Sequence, residues 1–97
     1  MSYSFFKRAV FRAAQGMCEC PGHDHPAETV HHFLKQSLFP EYAEDPDNGM
    51  AIAGACHTEL ERRLREALEW RDLIPEGRLE RMREKAGGTS WDSRTNP

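Results

Sequence analysis

The side chains best suited to chemistry are crowded into one stretch of this chain. His23, His25, His31 and His32 fall within ten residues beside Cys18 and Cys20, and the fifth histidine, His57, directly follows the third cysteine, Cys56. Imidazole and thiolate are the principal ligands of zinc, so clustering of this kind is a signature of metal binding. Histidine also has an unperturbed pKa near 6.5, which lets it take a proton from water close to neutrality. Three cysteines cannot close a complete disulfide framework, and an odd count without a secretory leader favours thiolate ligation over cross-linking.

Each of these residues must be positioned by an element. Residues 3–15 place Phe6 and Val10 at helical spacing, continued by Ala13 and Ala14, and Gly16 is a stop signal. The segment MCECPGHDHPAE is rich in Pro, Gly and ligand-type side chains, as expected of a turn-rich loop ordered by what it binds. Thr29 to Phe33 is short and β-favourable, and a second strand is expected at about Gly49 to Ala53. Between them, 34–47 holds Pro40, Pro46 and several acids and reads as a long loop. From His57 to about Asp72, Leu60, Leu64 and Leu68 recur at spacing four, the apolar stripe of a packed helix. After Pro75, Glu76 to Lys85 forms a shorter charged helix with Leu79 and Met82 inward. The tail 87–97 is expected to be disordered, which leaves a single domain at 1–86.

With 97 residues, 38 % of them hydrophobic and 30 % charged, the chain suits a soluble helix-rich domain with a thin core. Such a domain benefits from a metal clamp. No apolar run approaches the roughly 20 residues that span a bilayer. The opening segment carries Lys7, Arg8 and Arg12 among its apolar residues, as an amphipathic helix does and a signal peptide does not; a cytoplasmic location is expected. The net charge of −3 is unhelpful for binding phosphates. Its distribution is uneven, because the acidic excess lies in the middle of the chain and the first fifteen residues carry only bases.

The order is strand with His31-His32, loop, Asn48, strand, then His57 at a helix start. With VHHF at Val30 to Phe33, DPDNGMAIAGACH at Asp45 to His57 and eight residues between Asn48 and His57, the stretch Met17 to Leu68 resembles the HNH endonucleases. The resemblance implies a small α+β protein built on a ββα-metal finger: a two-stranded antiparallel hairpin plus helix, at about 17–70, with flanking N- and C-terminal helices and a stabilising zinc. It implies that His31 and His57 hold a catalytic divalent ion such as Mg²⁺ or Mn²⁺, that His32 is the general base, and that Asn48 orients that base. Glu61, one helical turn beyond His57, could supply a third ligand; a solvated surface acid is the plainer reading of that residue. Neighbours on a strand point to opposite faces, so His31 and His32 should do different work.

Many members of that family carry a structural zinc between two Cys-x-x-Cys knuckles, and this chain departs from the pattern: position 53 is Ala53, and the first knuckle is Cys18-x-Cys20 followed by Pro21, Gly22 and His23. Cys20-Pro-Gly-His23 keeps knuckle spacing, so the expected set is Cys18, Cys20, His23 and Cys56, with His25 competing for the fourth place. Otherwise the cysteines are buried or free thiols.

The leading expectation is thus a DNA endonuclease. A zinc-stabilised nucleic-acid or protein adaptor on the same scaffold is the alternative, and it would have no need of His32 and Asn48 together. A three-helix interaction protein with incidental histidines would not account for the spacing. Arg62, Arg63, Arg65 and Arg71 alternate with acids, as on a solvated helix, so Lys7, Arg8 and Arg12 are the expected DNA contacts. Binding through them would be salt-sensitive and little dependent on sequence. Small stand-alone members of that family often resemble phage products or parts of restriction systems.

Overall fold

A computed structural model describes residues 3–87, so the expected disorder of the tail falls, past Gly87, outside the described residues. The chain runs α1 (Tyr3–Ala13), β1 (Thr29–His32), β2 (Gly49–Ile52), α2 (Gly54–Arg65) and α3 (Arg78–Lys85), with short 3-10 turns at Pro40–Tyr42, Pro46–Asn48 and Arg71–Leu73. It is a small α+β protein in which β1 and β2 form an antiparallel hairpin with Thr29 opposite Ile52 and His32 opposite Gly49. Among the described residues no helix is long and apolar enough to cross a membrane.

The hairpin is covered on both faces, which explains why β2 is buried along its whole length. Against one face Phe6 and Val10 of α1 pack on Val30 and Ala51. Against the other, Met50 and Ile52 meet Leu60 of α2 together with Leu73, Ile74, Cys18 and Cys20. Alternation along a strand thus divides the core into two layers. Gly49 is required by the first: a Cβ there would lie 2.7 Å from both the Phe6 ring and Val10 Cγ2, so α1 sits directly on the β2 backbone. A smaller cluster of Leu34, Phe39 and Met82 fixes the loop to α3.

The free edge of β2 is closed by Glu19. Its backbone N–H donates to Ala51 O (2.9 Å), and its carboxylate accepts from Ala51 N (2.7 Å). The same carboxylate receives Arg78 Nη1 (2.6 Å), while Arg78 Nη2 donates to Gly49 O (2.7 Å), so one arginine ties α3 to strand and knuckle. An unpaired strand edge is a template for unwanted pairing, and this contact removes it.

Four helix boundaries differ from expectation. Helix α1 ends at Ala13 because Gln15 and Gly16 take φ 56° and 76°, with Gly16 N donating to Phe11 O (2.9 Å), so the expected stop residue is part of the left-handed turn. Helix α2 begins at Gly54, three residues before His57, because Glu28 caps it by accepting from Gly54 N (2.8 Å). It stops at Arg65 and does not reach Asp72: Ala67 has φ 56°, Leu68 N donates to Arg63 O (2.8 Å) and Ala67 N to Leu64 O (3.4 Å), a Schellman ending. Of the leucine stripe only Leu60 is buried; Leu64 and Leu68 are 40 % and 45 % exposed. Residues four apart on a helix drift by about 40° per step, so the stripe turns away from the core. Helix α3 starts at Arg78, two residues later than expected, and does bury Leu79 and Met82.

Candidate metal centres

Two groups of ligand-type side chains converge, one on each side of the first turn of α2. The first is Cys18, His23, His25 and Cys56; the second is His31, His57 and Glu61, and within each group the donor atoms lie within 4.8 Å of one another.

The Cys/His group is built by a turn and a short pairing. His23 N donates to Cys20 O (3.0 Å) across Pro21-Gly22, with Gly22 at φ 80°. Proline second and a left-handed glycine third are what a type II turn requires. Met17 bridges to Pro26, and Cys18 N donates to His25 O (2.9 Å), so the two arms of the loop run antiparallel. Cys56 Sγ lies 3.2 Å from His23 Nδ1 and 3.6 Å from His25 Nε2, and the two ring nitrogens are 3.5 Å apart. Tetrahedral zinc, with bonds of about 2.0–2.3 Å, sets its ligand atoms roughly 3.3–3.8 Å apart. The donor set is therefore of a size and chemistry that could hold zinc.

The structure gathers Cys18, His23 and Cys56 of the expected set but completes it with His25, the competitor. Cys20 is not one of the four mutually close donors: the pairing that sets Cys18 against His25 brings that imidazole in, and Cys20 is 2 % exposed in the core with Met50 and Leu60. Its thiol still adjoins the others. Burial and the neighbouring Cys18 push the Cys20 thiol far up, and burial with the charge of Cys18 raises Cys56. Cys18 moves the other way: burial opposes its ionisation, but hydrogen bonds from the Ala53 and Cys20 backbone and from the two other thiols bring it below the ordinary value. One thiolate forms readily and suppresses the rest, the situation that a bound cation relieves.

The second group spans hairpin and helix. His31, on the α2 face of β1, places Nδ1 3.2 Å from Glu61 Oε1, and His57 Nε2 lies 3.2 Å from the same oxygen. The two imidazoles meet edge to face, with centroids 5.5 Å apart. Hydrogen bonding from His31 brings the Glu61 carboxyl down to about 2, against its partial burial. Burial, then the neighbouring His31, lowers His57, which keeps it neutral as a ligand must be.

His32 points to the α1 face, as alternation requires. Phe6 stacks on it with centroids 4.8 Å apart and planes 18° from parallel. His32 Nε2 lies 3.0 Å from the Ala43 carbonyl oxygen. A carbonyl only accepts, so Nε2 carries the proton and Nδ1 is the basic nitrogen. Despite their opposite directions His31 and His32 line one cleft of about 490 Å³, together with Glu61, Lys35 and Arg65.

Asn48 acts at one remove from His32. Fully buried, it accepts from Leu34 N (2.8 Å) and donates from Nδ2 to Leu34 O (3.1 Å) and Tyr42 O (3.1 Å). It pins both limbs of the loop, and the residue after Tyr42 supplies the carbonyl that holds His32. Asn48 is accordingly a positioning residue. Asn48→Ala strands Leu34 N and Leu34 O, while Tyr42 O keeps the Asp45 N–H (3.2 Å). With each stranded group costing of the order of 1 kcal/mol or more, the change is expected to lower unfolding free energy by about 2 kcal/mol. Denaturant titration measures it; a loss within experimental error would remove the staple from the account.

The expected DNA contacts lie elsewhere. Lys7 sits over the Phe11 ring at 5.6 Å, and Arg8 and Arg12 are exposed on α1, on the opposite side of the hairpin from α2. None of the three lines the cleft. Lys35 and Arg65 do, and the spacing of four between Glu61 and Arg65 was the signal that could have found the latter. Phe6, Ala43 and Glu28 had no chemical signature in the sequence.

No protein-family model matches the chain, and neither a curated protein nor a solved structure matches it.

Proposed function

We propose that this protein is a metal-dependent endonuclease of the HNH type, hydrolysing phosphodiester bonds in DNA on a ββα-metal scaffold. The observation that carries the reading is a two-imidazole, one-carboxylate cluster of His31, His57 and Glu61, of which His31 and Glu61 line one cleft with His32, whose Nε2 is held by a backbone carbonyl. His31 Nδ1, His57 Nε2 and Glu61 Oε1 are the atoms that would hold the divalent ion. Bound there, it would polarise the phosphate and stabilise the leaving oxygen. His32, held by Phe6 and the Ala43 carbonyl, takes the proton of the attacking water at Nδ1. The cleft's cations, Lys35 and Arg65, draw the phosphodiester toward that nitrogen. In this reading the Cys18, His23, His25 and Cys56 cluster holds zinc and clamps the loop to α2.

Two imidazoles and one carboxylate suit a softer ion than Mg²⁺. Supercoiled plasmid incubated with a panel of divalent ions is expected to be nicked or linearised, with Mn²⁺ or Ni²⁺ supporting more turnover than Mg²⁺ and Glu61→Gln lowering it with every ion. Absence of any product with every ion would overturn the enzyme and leave the adaptor.

A further inference from the structure

The helices of this protein pair most of their cations. Arg62 and Arg63 are held by Glu59, Arg63 also by Asp72, Arg71 by Glu69, Arg78 by Glu19, and Lys85 by Asp45 and Asp47. Lys35 and Arg65 share with Arg8, Arg12 and Arg81 an exposed side chain with no hydrogen-bond or ion-pair partner among the described residues, but of these five only Lys35 and Arg65 border the cleft that holds His31, His32 and Glu61. Lys35 stands on the loop leaving β1, and Arg65 closes the last turn of α2, so the two cations reach the cleft from separate elements. Between them the lining includes Leu38 and Leu64, each 40 % exposed. Leu64 is the stripe residue that the core does not use.

We infer that this cleft takes one unpaired nucleic-acid strand, with Lys35 and Arg65 on backbone phosphates and Leu38 and Leu64 against the bases, in preference to an intact duplex. Two cations at one cleft supply the electrostatic contact that a strand backbone needs. Facing apolar side chains gain only where a base is unstacked and offers its face, as in sites for single strands and in proteins that wedge leucine between base steps. The size agrees: about 490 Å³ lies in the range of small-ligand sites, roughly 300–1,000 Å³, and suits a nucleotide rather than a double helix. The inference rests on the proposed nuclease reading for the orientation of the strand, but its test reads binding and not turnover.

The test is fluorescence anisotropy with a labelled single-stranded oligonucleotide and the blunt duplex of the same sequence, without added divalent ion and across a salt series. The single strand is expected to bind about 10-fold tighter than the duplex, within the worth of one base contact. Lys35→Ala and Arg65→Ala should each weaken binding to any sequence about 5- to 10-fold and reduce the salt slope by roughly 0.7, the single-strand value per phosphate. Leu38→Ser with Leu64→Ser should erase the preference for the single strand and leave the salt slope intact. Arg71→Ala, which removes the same charge outside the cleft, is the control and should change affinity less than twofold. Duplex bound as tightly as single strand, or Lys35→Ala and Arg65→Ala no weaker than Arg71→Ala, overturns the inference. A plasmid assay without product, beside the expected binding pattern, would sink the enzyme and keep the strand-binding cleft.

Discussion

His32→Ala is expected to lower ion-dependent plasmid cleavage by about 10²–10⁴-fold, the usual worth of a positioned general base. The folded chain should tolerate the change, because His32 is only half-buried at the end of β1. What is lost structurally is the Phe6 stack and the bond to Ala43 O; an aromatic pair is worth about 0.5–1.5 kcal/mol. His32→Gln separates the two roles. Its amide Nε2 stands where the imidazole Nε2 stood and can still donate to the Ala43 carbonyl, yet it offers no nitrogen that accepts a proton. Equal loss of cleavage in both variants, with unchanged metal content, identifies proton transfer. Full activity in either would remove His32 from the chemistry.

Stripping metal is expected to unfold the protein at room temperature. Structural zinc contributes an apparent 10–16 kcal/mol in zinc-finger peptides, comparable to or larger than the whole stability of a typical domain, about 5–15 kcal/mol. Here the cluster joins the 17–26 loop to the first turn of α2, through Cys56 against His23 and His25. Purified protein should contain one equivalent of zinc, lose its helical circular dichroism against a strong chelator, and recover on zinc addition. Cys18→Ser combined with Cys56→Ser should reproduce the unfolding without chelator, whereas Glu61→Gln should not. His25→Ala should weaken zinc binding more than Cys20→Ala, which costs mainly packing. A chelated protein that melts normally would mean that the cluster does not clamp the fold.

The hairpin could be read from the sequence because a β-favourable pair of short runs framed by Pro, Gly and Asn has few other solutions, and the opposed directions of His31 and His32 follow from the two-residue period alone. The join of His57 to Glu61 was legible for a similar reason, one helical turn fixing their common face. What the sequence concealed depends on residues that break type preferences. Gln15 and Ala67 take left-handed conformations normally left to glycine, so Gly16 marked the end of α1 only to within two residues and no glycine marked the end of α2. Glu28 caps a helix from 26 residues away, beyond any local pattern. Spacing left His23 and His25 as alternatives for one place; that both enter the cluster and Cys20 does not depends on the Met17 to Pro26 pairing. Arg65 was hidden among interleaved charges until its neighbours were seen to be paired and it was not.

Cys56 and His57 are consecutive on α2, yet each serves a different cluster. Successive residues point about 100° apart around a helix, so a single rotation of that turn aims both. The two centres are therefore geared together: no adjustment of the helix can retune one without turning the other. A designer wishing to graft the His31, His57 and Glu61 cluster onto another scaffold would have to transplant the turn and the knuckle facing it as one part.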